Sequence, residues 1–256
     1  MLLFESRYSY FIHLRSIYLS MADPNLNQEI LIRAKDFFRD NIVNSHIIGG
    51  LERASKLEEY NIHPFLFKYL ANFLEGDASP RSIAKALIYP RILGTSITTI
   101  FGMRAQQMIN ELFEGLGSTT PGIDIEFIDK LDGRKKYCQL KSGPNNINKG
   151  DVKTILDHFR DARNLARTNN VGLGANDLVL GVIYGEHIEL SGHYLVVEKD
   201  YPVFTGKEFW HRLTGQPDFY FKLIEAIGEV VLEVDGRERL EAAITALAAE
   251  ISARSL

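Results

Sequence analysis

A single Asp-Gly pair, Asp132-Gly133, constrains this chain more than any other feature, because it sits between two short alternating segments. Residues 121–141 read PGIDIEFIDKLDGRKKYCQLK. Asp-Gly is favoured at the centre of a two-residue type I′ loop, where both positions take positive φ. The alternation on either side predicts two strands. With Asp132 and Gly133 as the loop, Asp124 faces Lys141 and Glu126 faces Gln139, with opposed Cβ atoms about 5 Å apart. Ile123, Ile125, Phe127, Cys138 and Leu140 then share the other face, available for burial.

Helical periodicity surrounds this hairpin. Ile30, Leu31, Ala34, Phe37 and Phe38 predict a helix over 25–41, and a second is expected over 57–74 with Pro64 as a break or first-turn residue. Ser79 or Pro80 opens a short helix to Ile88. Within it, the Ser82 and Lys85 spacing matches serine acyltransferases only by chance, since the partner motifs are missing. Thr95 or Ser96 caps a helix to about 114, with Phe101, Ala105, Met108 and Leu112 inward and a polar stripe of Arg104, Gln107 and Glu111. The glycine-rich link 115–122 lacks the Gly-Lys-Ser/Thr ending of a phosphate loop and reads as a flexible approach to the first strand.

Beyond the hairpin a helix over 151–168 places Val152, Ile155, Leu156, Phe159, Ala162 and Ala166 inward and Lys153, Arg160 and Arg167 outward. The nearly continuous apolar run 177–185 predicts a central strand buried on both faces, with 194–198 as its neighbour. Between them, Glu186, His187, Glu189 and His193 are possible metal ligands without regular spacing, and a polar hairpin loop is the better reading. Helices are expected again over 206–213, 218–232 and 236–253.

Composition narrows the functional classes. Of 256 residues, 45% are hydrophobic and 24% charged, which fits a soluble globular protein and excludes collagen-like repeats and disorder. Cys138 is the only cysteine, so no disulfide framework or multi-thiolate zinc site is possible, and a reducing cytoplasm is expected. No apolar run reaches the roughly 18 residues of a membrane span. Residues 1–20 read as an upstream extension or disordered arm, because Met21-Ala22-Asp23-Pro24 resembles a natural start. The net charge is −4, yet from Arg134 to Arg167 nine basic residues face three acidic ones. Such a stretch is compatible with a nucleic-acid surface, although a charged helix face is more often merely solvated.

The hairpin's polar face has the groups that phosphodiester hydrolysis needs. A hard divalent cation takes oxygen ligands, and Asp124 offers a carboxylate while Gln139 offers an amide oxygen. Lys141 can hold the scissile phosphate or favour an ionised water. Glu126 and Glu111 are further candidates as ligands. The same geometry also describes an ordinary Asp124–Lys141 cross-strand ion pair worth about 0.2–1 kcal/mol.

Asp124 followed by Gln139-Leu140-Lys141, with a helix before and after, resembles the PD-(D/E)XK nuclease superfamily. Gly122-Ile123-Asp124-Ile125-Glu126-Phe127 and Gln139-Leu140-Lys141-Ser142-Gly143-Pro144-Asn145 are most similar to stretches of type II restriction endonucleases. The resemblance covers about 97–198. It implies an α/β fold: a restriction-endonuclease-like mixed central β-sheet flanked by helices, with a nuclease core over 95–204, an N-terminal helical region over 21–94 and a C-terminal helical region over 205–256 packed on the core. It makes Asp124 the metal-binding acid and Lys141 the catalytic lysine. Gln139 stands where the family usually has Glu or Asp, so either Glu126 or Glu111 makes up the missing charge or the nuclease is weakened or inactive. Magnesium is the implied cofactor and double-stranded DNA the implied partner. Ser142, Asn145 and Asn146 are placed near the DNA backbone, and Lys149, Lys153 and Arg160 at phosphates. A homodimer and a methyltransferase as genetic rather than physical partner also follow from the resemblance. A repair or junction-cleaving nuclease of the same fold, and a noncatalytic DNA-binding or interaction module, are the alternatives.

Overall fold

Apolar stripes at helical spacing become helices wherever they can be buried. The computed structural model describes residues 24–254 apart from 64, 114, 234 and 235, so the arm expected at 1–20 and the break expected at Pro64 lie outside the described residues. Helix α1 (Pro24–Phe38) buries Ile30, Ala34 and Phe37 and continues as the π-helical segment Arg39–Ile48 and helix α2 (Gly49–Ala54). The single helix expected over 57–74 is instead a 3-10 turn (Leu57–Glu59) and helix α3 (Phe67–Glu75), which ends at Gly76 with φ 81°. Helix α4 (Pro80–Leu93) starts as expected, because Ser79 accepts the Ser82 N–H and Pro80 has no N–H to leave unpaired. It then runs past Ile88 and through Pro90, since burying Ile83, Ala84, Ile88 and Ile92 outweighs one lost hydrogen bond. Ser82 donates to Asp77 at 2.6 Å and Lys85 to Glu75 at 2.5 Å, so both side chains of the Ser-x-x-Lys spacing have structural partners. Helix α5 (Thr95–Leu112) precedes the hairpin.

The hairpin forms with a wider turn than expected. Strand β1 (Ile125–Ile128) pairs antiparallel with β2 (Lys135–Lys141), setting Ile125 opposite Cys138 and Glu126 opposite Tyr137 rather than Gln139. Gly133 has φ 71°, but Asp132 does not take the positive φ that a type I′ loop requires of both residues. The Asp129 N–H donates to Arg134 O at 2.9 Å and the Gly133 N–H to Asp129 O at 2.8 Å, which closes the loop around 130–133. Side-chain bonds hold it open: Asp129, fully buried, accepts from Arg212 at 2.8 Å, and Asp132 accepts from Lys136 at 2.6 Å. A slide of two residues keeps every side chain on its own face. Ile123, Ile125, Phe127, Cys138 and Leu140 are accordingly all buried.

The link 115–122 is not a free approach. Gly117 bridges to Ile125, the Glu126 N–H donates to Leu116 O at 2.7 Å, and the Ser118 N–H to Asp124 O at 3.3 Å. These contacts cover the outer edge of β1, which would otherwise present unpaired backbone.

Two more strands complete a four-stranded mixed sheet in the order β1-β2-β3-β4. Strand β3 (Leu178–Val182) runs parallel to β2 and is buried at every position, as its apolar run predicts. Parallel neighbours need a crossover, supplied by helix α6 (Lys149–Thr168). Asn148 caps α6 by accepting the Gly150 and Asp151 N–H groups, so the helix starts slightly earlier than expected. The strand expected over 194–198 is a helix, α7 (Gly192–Glu198), with Tyr194 and Val197 buried and Leu195 and Val196 exposed. That three-residue spacing suits a helix face and not an alternating strand. The true neighbour of β3 is β4 (Val203–Thr205), also parallel.

Each sheet face is covered. Ile155, Phe159 and Ala162 of α6 and Tyr194 and Val197 of α7 pack with Leu178, Leu180 and Val182. On the other face, helix α8 (Gly206–Thr214) brings Phe209 against Gly181, where an added Cβ would lie 2.7 Å from the ring. Helices α9 (Phe219–Glu233) and α10 (Gly236–Ala253) follow. Contacts divide the chain into two compact units, one of residues up to 34 together with 105–226, the other of 35–104 together with 227 onward. The first contains the sheet. The second has its own core, in which Leu51, Phe67, Ile83 and Ile88 pack with Ile244, Leu247 and Ile251. No helix among the described residues is long and apolar enough to cross a membrane.

Cys138 is fully buried beneath the hairpin, and burial pushes its thiol far up from the ordinary range. It is expected to resist a disulfide reagent such as DTNB in the folded protein and to react fully on denaturation. Rapid labelling under native conditions would contradict the packing of β2.

Candidate active site

Asp124 immediately precedes β1 and is held from two sides. Its N–H donates to Cys138 O at 2.9 Å, while one carboxylate oxygen accepts the Leu140 N–H at 2.7 Å and the other accepts from the Gln106 amide at 2.9 Å. Burial raises the Asp124 pKa above its ordinary value; the Leu140 N–H, the Lys141 charge and the Gln106 amide oppose that shift without cancelling it. This carboxylate is therefore short of compensating positive charge, a deficit that a cation would relieve.

Gln139 lies on the same face of the hairpin and is buried. Its amide nitrogen donates to Gly122 O and lies 2.7 Å from Nδ1 of His158. Its amide oxygen is buried and has no hydrogen-bond partner among the described residues. A buried acceptor without a donor is uncommon and costs about 1–3 kcal/mol unless something satisfies it. Lys141, half-buried, is the next residue on this face. Its ammonium has no hydrogen bond or ion pair among the described residues, so the cross-strand Asp124–Lys141 pair within 4.0 Å is not made.

The two other candidate acids have partners of their own. Glu126 accepts from Ser118 at 2.6 Å and Thr120 at 3.2 Å and pairs with Lys135 at 2.6 Å. Burial pushes its pKa up, but those bonds outweigh the effect and hold it below the ordinary value. Glu111 is exposed and accepts from Gln107 at 2.8 Å. The helix residue that reaches Asp124 is Gln106, five positions earlier and about 140° away around the helix. Among the described residues, no group of three or more His, Cys, Asp or Glu side chains is placed to hold a metal. A cation here would depend on Asp124, the Gln139 oxygen and ligands brought by water or substrate.

Ser142 is buried and accepts from Asn146, whereas Asn145 is exposed. Lys149, Lys153 and Arg160 are exposed along one stripe of α6, with Arg160 paired to Asp157 at 2.6 Å. His158 lies on the opposite side of that helix, toward the sheet. Sequence reasoning missed His158, Gln106 and Gly122. His158 did leave a signal, being a polar residue between Ile155 and Phe159 on an otherwise apolar helix face. Gln106 left none.

A mixed sheet flanked by helices, with an acid, an amide and a lysine on one hairpin face, defines a restriction-endonuclease-like fold. A family model described as Type II restriction endonuclease EcoO109I matches residues 34–235, and the chain belongs to this family of site-specific endonucleases. No curated protein matches the chain.

Proposed function

We propose that the protein is a type II restriction endonuclease making sequence-specific, magnesium-dependent double-strand breaks in DNA, with residues 95–204 as its nuclease core. One observation carries the reading: the under-compensated Asp124 carboxylate shares a single face with the Gln139 oxygen and the Lys141 ammonium, neither of which has a hydrogen-bond or ion-pair partner among the described residues. The donor atoms fit a hard divalent cation, since magnesium is commonly held by one or two carboxylates with water and phosphate oxygens completing the shell. Asp124 and Gln139 would hold it, and when bound it supplies Lewis acidity toward the scissile phosphate and a more acidic water.

The chain's own groups do the rest. Gln106 and the Leu140 N–H fix the Asp124 carboxylate before substrate arrives, which avoids reorganisation during the reaction. Lys141 offers its ammonium to the phosphate oxygens, where negative charge accumulates as water adds to phosphorus and the P–O bond to the leaving strand breaks. Glu126, paired with Lys135, is the next acid along the same strand face. Asn145, Asn146, Lys149, Lys153 and Arg160 are proposed contacts to the DNA backbone, whose charge such residues neutralise. A twofold homodimer matches the symmetry of a palindromic site, and a methyltransferase would be its genetic partner in the cytoplasm.

Incubation of the purified protein with unmethylated phage DNA and magnesium is expected to give discrete fragments. Lys141→Ala is expected to slow cleavage by about 10²–10³-fold while calcium-supported DNA binding persists in a gel shift. Tight binding without fragments would favour a noncatalytic module, and cutting confined to branched or flapped substrates a repair nuclease.

A further inference from the structure

We infer that His158 is a positioning residue, which with Gly122 holds the Gln139 amide so that its oxygen, in place of a carboxylate, is presented to the metal. The inference rests on the metal-dependent reading above.

The Gly122 carbonyl can only accept, so the Gln139 atom bonded to it is the amide nitrogen. That nitrogen's other contact is Nδ1 of His158 at 2.7 Å, so Nδ1 presents a lone pair to the amide and the ring's N–H is the one at Nε2. Both amide hydrogens are then engaged, and Oε1 is left buried with no donor among the described residues. Turning the amide end for end would press its oxygen against the Gly122 carbonyl, two acceptors in contact away from water. The ring is seated tightly as well. A Cβ on Gly122, whose φ is 76°, would lie 2.3 Å from Cγ of His158.

This arrangement changes the meaning of a glutamine at 139. A glutamate there would set a carboxylate oxygen against the Gly122 carbonyl and the Nδ1 lone pair. An amide satisfies both acceptors and still leaves one oxygen free. Gln139 is matched to Gly122 and His158 and is not the remnant of a lost acid.

The test uses the full chain without DNA and counts bound Mn²⁺ by EPR of the free ion, for wild type and for His158→Leu, His158→Asn, Gln139→Glu and Asp124→Ala. Leucine removes the acceptor, whereas the asparagine oxygen replaces it near the Nδ1 position. His158→Leu is expected to weaken Mn²⁺ binding roughly 10–100-fold and His158→Asn by no more than about threefold. Gln139→Glu is expected to weaken binding rather than strengthen it. ¹⁵N NMR of wild-type His158 is expected to show the Nε2–H tautomer, a readout that needs neither metal nor activity and stands even if the leucine variant does not fold. An Nδ1–H tautomer, or stronger binding by Gln139→Glu, overturns the inference. Binding that requires Asp124 yet ignores His158→Leu overturns it alone, leaving the metal site standing. Binding that ignores Asp124→Ala overturns the metal site and the inference together.

Discussion

Asp124→Asn is expected to abolish cleavage and leave the metal-free protein at least as stable as wild type. Losing the one carboxylate among the proposed ligands should slow hydrolysis by about 10³-fold or more, equivalent to roughly 4 kcal/mol of transition-state stabilisation. Stability moves the other way because burial raises the folded-state pKa of Asp124. Between the unfolded pKa, near the ordinary carboxyl value of 3.8, and the higher folded one, the native state binds more protons than the unfolded state. Stability from this group therefore falls as pH rises through that window and stays lower at neutral pH. Asparagine removes the charge, and its oxygen can still accept the Leu140 N–H while Gln106 turns its amide to accept in return. Thermal melts at pH 7 without divalent ions should show a Tm at or above that of wild type, and the gain should vanish at pH below about 3. Magnesium should raise the wild-type Tm and leave the variant unmoved. Wild-type cleavage by the variant would remove Asp124 from the mechanism.

Lys136→Met is expected to cause the largest loss of stability. Lys136 is 1% exposed, donates to Asp132 at 2.6 Å and to Asn176 O at 3.0 Å, and lies 4.0 Å from both Asp129 and Asp177. Asp129 also pairs with Arg212, and Asp177 with Arg134, so each buried acid around the turn of the hairpin has cations beside it. Removing one cation leaves the buried Asp129 and Asp177 under-compensated, at a cost of about 3–5 kcal/mol. For a domain this size each kcal/mol lowers Tm by roughly 2–4 °C, so a fall of about 10 °C should be seen in a thermal melt. Lys136 is at the far end of β2 from Lys141, and specific activity at low temperature should be retained. A Tm within about 2 °C of wild type would show that the network contributes little.

The polar face of the hairpin was legible because alternation is a local property. Asp124, Gln139 and Lys141 share a face in any register that differs by an even number of residues, so the error of two in register left the grouping intact. The buried strand at Leu178–Val182 and the helix carrying Val152, Ile155 and Phe159 were legible for the same reason: their apolar patterns have one compatible period each. The segment 194–198 was too short to discriminate, since Tyr194, Leu195, Val196 and Val197 suit either period until the partners of Tyr194 and Val197 are known.

What the tertiary structure alone decided is which groups meet across elements. The turn widened because Asp129 found Arg212, far along the chain, and no local preference of Asp-Gly reports on that partner. Gln106 reached Asp124 in place of Glu111 because the rotation of a helix about its axis is set by packing and not by its polar stripe. His158 met Gln139 because α6 crosses over β2 on its way to β3. Local periodicity determined what each face of the hairpin could offer; long-range contacts, whose partners are separated in sequence and joined only by the fold, determined that the Gln139 oxygen has no donor among the described residues.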